Sequence, residues 1–212
     1  MNGIRGIIYD CDGVLFESRA ANLAYYNAVL QQMGAPSVAA DDSVRTHLCH
    51  TAASPEVFAV LLGPERVEQA MACAAALDYR QFIPFMTPEP DMVETLAALS
   101  AQMPLAVATN RGTSMPEILR HFGLSQYFRT VVTSRDVARP KPHPDMLELA
   151  ARRLGLQNNE LLFVGDSELD STAAARAGIR FAAYKGDLPG VLKIRSHSEL
   201  AALFSRETTG ET

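Results

Sequence analysis

The chain has 212 residues, 48% of them hydrophobic and 20% charged, with a formal net charge of −5. That length supports one sizeable core, or a core carrying a smaller inserted domain. The acidic balance argues against a nonspecific nucleic-acid or anionic-membrane binder, while leaving small anionic substrates open. Cys11, Cys49 and Cys73 show no C-x-x-C spacing, which speaks against a disulfide framework or zinc ribbon and for a reducing cytoplasm. No apolar run reaches the roughly 20 residues of a membrane span, and acidic residues interrupt the apolar N-terminal stretch in a way foreign to a signal peptide.

The first predicted element is an apolar strand, Arg5–Tyr9, running into Asp10-Cys11-Asp12-Gly13. Alternate side chains of an extended strand share a face, so Asp10 and Asp12 can crowd one small volume. Two carboxylates that close repel unless a cation or a division of roles relieves them. Gly13 permits the turn that swings Asp12 back over the strand end, although the run by itself reads equally well as a strand ending in an ordinary turn. No strand pattern follows until Pro88. Instead Leu23, Tyr26, Leu30 and Met33 form a helical stripe ended by Gly34, and a second helix is predicted from about Pro64 to Phe82. This texture predicts an all-helical domain over residues 17–88, inserted into a core made of 1–16 and 89–205. Linkers fall near Leu15–Ser18 and at the proline-rich Pro84–Pro90, and a polar tail, 206–212, is expected to be flexible.

Further strands are predicted at Leu105–Ala108, Thr130–Val132, Leu161–Val164 and Arg180–Ala183. Between them lie a helix from Ser114 to His121, with Ser114 and Glu117 spaced as a capping box and Gly123 as its stop, a helix opened by Pro144 and closed by Gly155, and a last one started by Ser196 and Glu199. His143 is a candidate cap for the helix at Pro144. Strands alternating with helices predict an α/β fold, a doubly wound parallel sheet.

Four polar constellations follow these strands: Asp10 with Asp12; Thr109-Asn110-Arg111-Gly112; Arg139-Pro140-Lys141-Pro142-His143-Pro144; and Gly165-Asp166-Ser167-Glu168-Leu169-Asp170. In open α/β sheets ligands bind beyond the carboxyl ends of the strands, so the first, second and fourth converge by topology. Their order, Asp-x-Asp-Gly, Thr-Asn, Lys-Pro, Gly-Asp-x-x-x-Asp, resembles over nearly the whole chain the haloacid dehalogenase superfamily phosphohydrolases with a helical cap after the first strand, of the phosphoglycolate phosphatase and β-phosphoglucomutase-like kind.

That resemblance implies a Rossmann-like core and a Mg²⁺-dependent phosphatase acting on a small phosphorylated metabolite, as a monomer or homodimer. It implies Asp10 as the nucleophile that forms an aspartyl phosphate and Asp12 as the general acid and base. Asp10, Asp12 (through its carbonyl) and Asp166 would be Mg²⁺ ligands. Thr109 and Lys141 would grip the phosphoryl oxygens, and Asn110 would add an amide donor or orient the nucleophile. Asp170 and Ser167 would support the ligands from behind. Arg111 reads either as a contact to the leaving group or as a surface residue. Arg45, His50 and Thr51 are candidate specificity residues by analogy with relatives, or an ordinary polar surface. Cys11 reads as a packing residue.

Within the superfamily, Asp12 opposes a dehalogenase, and the absence of lysine between Glu17 and Pro88 opposes a Schiff-base phosphonate hydrolase. A phosphomutase uses the same four motifs. A noncatalytic phospho-accepting domain is the alternative of another class, but it needs neither Asp12 nor an inserted domain.

Overall fold

The protein is described from a computed structural model over residues 1, 3–186, 188 and 192–205; the tail expected to be flexible, 206–212, lies outside the described residues. In chain order, β1 (Gly6–Tyr9) leads to a short β2 (Phe16–Glu17). The helices α1 (Arg19–Gln32), α2 (Ser43–Thr51), α3 (Ser54–Leu62) and α4 (Val67–Ala76) follow, and then β3 (Thr87–Pro88). The rest alternates: α5 (Met92–Ser100), β4 (Leu105–Thr109), α6 (Met115–His121), β5 (Phe128–Thr133), α7 (Asp145–Leu154), β6 (Leu161–Gly165), α8 (Glu168–Ala177), β7 (Arg180–Tyr184), β8 (Leu192–Ile194) and α9 (His197–Ser205).

Six strands form a parallel sheet in the order β5-β4-β1-β6-β7-β8. Strands β1, β4 and β6 are buried along their whole length, which is why they read as unbroken apolar runs rather than as alternating patterns. Neighbouring residues of β1 serve opposite faces. Ile7 and Tyr9 pack with Leu96 of α5, Ile118 of α6 and Leu200 of α9, whereas Ile8 packs with Leu147 of α7 and Ala174 of α8. The fold is thus a doubly wound parallel sheet with a smaller all-helical domain inserted after the first strand. The inserted helices bury a core of their own around Tyr26, Val29, Val57 and Phe58.

The two linkers meet. Strands β2 and β3 pair antiparallel, Phe16 opposite Pro88, and the Glu89 N–H donates to the Leu15 carbonyl at 3.0 Å. The sheet side holds both linkers. Tyr184 and Lys185 donate to Glu89 Oε2 at 2.9 and 2.5 Å, and His197 Nε2 donates to the Val14 carbonyl at 2.8 Å. Burial pushes the His197 imidazole pKa down, which keeps the ring in the neutral form this bond uses.

Several expectations are corrected. The second helix ends at Ala76 instead of Phe82, because the Asp78 carboxylate accepts the Arg80 N–H and starts a separate 3-10 turn, Tyr79–Gln81. Ser114 makes no side-chain cap: Pro116 supplies no N–H in the first turn, and Ser114 itself is helical in backbone. No side chain caps α7 either, so the predicted His143 cap is not formed. Helices α2 and α3 and strand β8 had no predicted counterpart. Gly123 (φ +68°) does close α6, with the Leu124 N–H donating to the Leu119 carbonyl at 2.7 Å, and Ser196 accepts the Glu199 N–H as expected.

Truncating His197, which is fully buried and packed on Tyr9 and Tyr184, removes ring contacts and leaves the Val14 carbonyl unpaired. His197→Ala should cost about 2–4 kcal/mol of stability in urea unfolding; a loss below about 0.5 kcal/mol would show that α9 does not hold the linker.

Candidate active site

Asp10 directly follows β1, Thr109 ends β4 with Asn110 and Arg111 just beyond, and Asp166 directly follows β6. Because β1 lies between β4 and β6, these residues share one edge of the sheet. Lys141 arrives from the loop between β5 and α7, and Asp170 from the first turn of α8. Gly13 sits at φ +72°, and a Cβ there would lie 2.0 Å from Asp166 Oδ2. Only a glycine lets the first turn pass over the Asp166 carboxylate.

The ammonium of Lys141 is the centre of the cluster. Its Nζ lies 2.9 Å from Asp10 Oδ1, 2.6 Å from Asp170 Oδ1 and 3.2 Å from the Ala108 carbonyl. The second oxygen of Asp170 accepts from Ser167 Oγ at 2.6 Å and from the backbone of Ser167 and Asp166. Asp170 therefore spends both oxygens on fixing Lys141 and the turn that presents Asp166, and Ser167 caps α8 in the same network. Asn110 clamps Lys141 by its backbone, accepting its N–H at 3.0 Å and donating to its carbonyl at 3.1 Å; the same amide donates to the Thr51 carbonyl of α2. Both ends of Asn110 thus serve the scaffold rather than pointing at an anion. Thr109 is buried and its Oγ1 accepts the Arg111 N–H at 3.2 Å.

Burial, with the neighbouring carboxylates adding to it, pushes the Asp10 carboxyl up to about 7 in spite of Lys141. Burial, then Asp170 and Asp10, push Asp166 up to about 8. Lys141 moves the other way: burial disfavours its charge, but Asp10 and Asp170 outweigh it and raise its pKa. Asp10, Asp166 and Asp170 offer oxygens that all lie within 4.8 Å of one another. With Asp170 committed, Asp10 and Asp166 are the carboxylates suited to a hard divalent cation such as Mg²⁺. The crowding that raises both their pKa values is what such an ion would relieve.

Asp12 is kept apart from this cluster. Its Oδ1 accepts from Ser18 Oγ, from Asn22 Nδ2 at 3.1 Å and from Arg111 Nη2 at 2.5 Å. Burial would raise its pKa, but Arg111 and then His50 outweigh this and hold the carboxyl below the usual range. Arg111 is no surface residue: its side chain is only 7% exposed, and it also bonds Asn22 Oδ1 at 2.6 Å and the Tyr79 hydroxyl. His50 is buried, with Nδ1 3.3 Å from Asn22 Nδ2 and Nε2 3.9 Å from Asp166 Oδ2. Thr51 joins the site through its carbonyl. Arg45 does not join it; it is exposed and pairs with Asp42 at 3.6 Å, because its place in the first turn of α2 lies at the far end from His50. Ser18, Asn22 and Tyr79 were not anticipated. Ser18 and Asn22, four residues apart at the start of α1, share a helix face, which is a legible signal; Tyr79 offers none.

Between the inserted helices and the strand ends lies a cavity of about 590 Å³, with Asp10, Asp12, His50, Tyr79, Thr109 and Arg111 on its walls. A lysine-bridged carboxylate cluster at the carboxyl edge of a doubly wound sheet, roofed by a helical insert, defines an enzyme site for a small anionic ligand. The chain belongs to the haloacid dehalogenase-like hydrolase family, whose model matches residues 7–184. Among curated relatives it is 32% identical to the phosphoglycolate phosphatase of Pectobacterium atrosepticum over 193 residues, 85% of this chain and 80% of that one. It is also 32% identical to that of Yersinia pestis over 183 residues, 82% and 78%. A solved HAD-superfamily hydrolase, subfamily IA, variant 1, from Geobacter sulfurreducens is 40% identical, with a TM-score of 0.82 over 94% of this chain and 99% of that one. A putative phosphoglycolate phosphatase from Lactobacillus plantarum shares the fold at a TM-score of 0.82 and 18% identity, over 95% and 99%. Within its family the chain is a phosphatase. Among the described residues no helix is long and apolar enough to cross a membrane.

The raised carboxyls give a sign for metal binding. Without a cation, the stability that protonated Asp10 and Asp166 retain at low pH is lost progressively as pH rises from the ordinary carboxylate value of 3.8, where the unfolded chain gives up these protons, to about 7 and 8, where the loss is complete. A divalent cation binds the ionised pair and restores it. Added Mg²⁺ should therefore raise the melting temperature by several degrees near about pH 8.5 and by little near about pH 6. Equal increments at both would argue against Asp10 and Asp166 as the ligands.

Proposed function

We propose that the protein is a Mg²⁺-dependent hydrolase of small phosphomonoesters that works through a phosphoryl group carried on Asp10. The observation that carries this reading is Lys141 Nζ, held 2.9 Å from Oδ1 of Asp10, a residue that lines the cavity, with Asp166 beside the pair. In the first step an Asp10 oxygen bonds to phosphorus as the ester P–O bond breaks, and Asp12 passes a proton to the leaving oxygen, a role for which it must first take up that proton against Arg111, whose guanidinium favours its charged form. In the second, Asp12 takes a proton from water, water oxygen bonds to phosphorus, the Asp10 O–P bond breaks and phosphate leaves. Lys141 and Thr109 face the phosphoryl oxygens as charge shifts among them. Mg²⁺, held by Asp10, Asp166 and the Asp12 carbonyl, would supply positive charge that lets a carboxylate approach a phosphate dianion.

Residues 17–88 act as a cap on the core formed by 1–16 and 89–205. Moving on the paired linkers, they admit substrate and then exclude bulk water. Asn22, His50, Thr51 and Tyr79 already reach the sheet-end residues from that side, which supports a substrate small enough to be enclosed. The relatives named phosphoglycolate phosphatase support a small organic phosphate as substrate.

Asp10→Asn should lower Mg²⁺-dependent phosphate release by at least about 10³-fold while the unfolding transition persists. Asp12→Asn should slow turnover by about 10²–10⁴-fold and leave phosphate on Asp10, read as an added mass on the intact protein. Turnover by pure Asp10→Asn protein at the native rate would exclude the covalent route; an undiminished rate in Asp12→Asn with a poor leaving group would remove Asp12 from its role.

A further inference from the structure

The cavity has two kinds of wall. Its sheet side carries Asp10, Asp12, Thr109 and Arg111, the groups already given to phosphoryl transfer. Its helical side continues past them. Asn22, which reaches Asp12 at 3.1 Å, begins a face of α1 that carries Tyr25 and Tyr26 one turn on, about 5 Å along the helix axis. The rings form a series from the sheet edge inward: the Arg111 guanidinium carbon lies 5.3 Å from the Tyr79 ring centre, Tyr79 lies 5.6 Å from Tyr25, and Tyr25 5.1 Å from Tyr26. Met71 and Ala75 of α4, and Leu77 after it, line the same cavity. Tyr25, Met71 and Leu77 are half-buried; each packs on the core of the inserted helices and also borders the cavity. The Tyr26 hydroxyl meets Ser54 Oγ at 3.1 Å, and Ser54 is also a hydrogen-bond partner of Tyr25, so both hydroxyls are occupied and the rings are left to face a ligand. Among the described residues the inserted domain puts no lysine or arginine on this wall, and its one carboxylate there is Glu56. His50 stands at the catalytic end, 3.9 Å from Asp166.

We propose that the far end of the cavity takes an uncharged, apolar leaving group, so that the substrate class is phosphomonoesters whose alcohol carries an apolar body of about four or more carbons. The inference rests on the phosphatase reading above, because that reading fixes the phosphoryl group at Asp10 and the ester oxygen beside Asp12. From there the tyrosine pair lies one helical turn away, and each methylene adds about 1.3 Å to an extended chain. A two-carbon alcohol stops short of the rings; one of about four carbons covers the turn. Contact there removes apolar surface of both ligand and wall from water, which is favourable in proportion to the area covered. A distal phosphate or carboxylate would lose its hydration with no cation of the inserted domain to replace it. The cavity volume of about 590 Å³ falls within the roughly 300–1,000 Å³ of clefts that enclose ligands of many atoms. The sheet edge thus selects the phosphate, and the inserted domain selects what the phosphate is attached to.

The test measures kcat/KM for ethyl, butyl and hexyl phosphate and for 2-phosphoglycolate, with Mg²⁺ present, in the native protein and in Ala75→Phe. The three alkyl esters have leaving alcohols of similar acidity, so differences among them report binding of the chain. In the native protein kcat/KM should rise roughly 3-fold per added methylene, reaching about 30-fold or more for hexyl over ethyl phosphate. Ala75 is exposed on α4 and has no part in phosphoryl transfer. A phenylalanine there fills the far end, and should cut the hexyl advantage by at least about 10-fold while leaving ethyl phosphate within about 2-fold of native. Hexylphosphonate, whose P–C bond is not hydrolysed, should inhibit the native protein about 30-fold more tightly than ethylphosphonate, a measurement independent of whether the variant folds. A flat alkyl series, equal inhibition by the two phosphonates, or a hexyl advantage undiminished in Ala75→Phe would each overturn the proposal. So would a native preference of 10-fold or more, about one decade, for 2-phosphoglycolate over hexyl phosphate; these results would leave the phosphatase reading standing. Failure to hydrolyse any of the esters would instead sink the phosphatase reading, and this proposal with it.

Discussion

The site depends on one buried ammonium shared among carboxylates. Lys141, with its side chain 2% exposed, touches Asp10 and Asp170, and Asp166 stands beside them. A single positive charge cannot neutralise three acidic groups out of water. The pocket answers in two ways: Asp10 and Asp166 hold protons more tightly, and their oxygens gather within 4.8 Å of one another, a grouping of the kind hard cations take. Both answers follow from strand order. Putting β1 between β4 and β6 makes the residues after each strand neighbours, and Asn110 then ties the Lys141 backbone to the end of β4.

The inserted helices do more than roof this cluster. Asn22 bonds Asp12 and Arg111, the Thr51 carbonyl takes a bond from Asn110, and Tyr79 meets Arg111. Asn110 and Arg111, just beyond β4, therefore each have a partner on the helical side. The linkers add the opposing restraint. Glu89 and the Val14 carbonyl are bound by Tyr184, Lys185 and His197, so the ends of the insert are tied to the sheet independently of the contacts its helices make with the strand-end residues.

Much of this was legible in the chain because its causes are local. Apolar runs bounded by Asp, Thr-Asn or Gly-Asp marked β1, β4 and β6, and their strand-end residues do share one edge. Lys141 stood out because lysine is scarce, with only Lys185 and Lys193 besides it. What stayed hidden was set by long-range packing. Strand β8 is three residues long and is held by pairing with β7. Arg111 read as ambiguous because its meaning depends on Asp12, Asn22 and Tyr79, which lie 99, 89 and 32 residues away. Glu89 and His197 carried no motif at all, since their role is to bridge linkers that become neighbours only after folding.

Asp10 and Asp12 show how a two-residue spacing yields two chemistries. Asp10 ends the strand inside the acidic cluster, where burial and like charges favour its proton. The turn at Gly13 carries Asp12 out of that cluster to a guanidinium, a hydroxyl and an amide, which favour its charge. Neighbours that push two nearby carboxyls in opposite directions are the usual means of giving them different roles. Here the separation is geometric before it is electrostatic. A side chain at position 13 would strike Asp166, the turn would have to open, and the distinction between the two carboxyls would be lost along with the surface on which the acidic cluster rests.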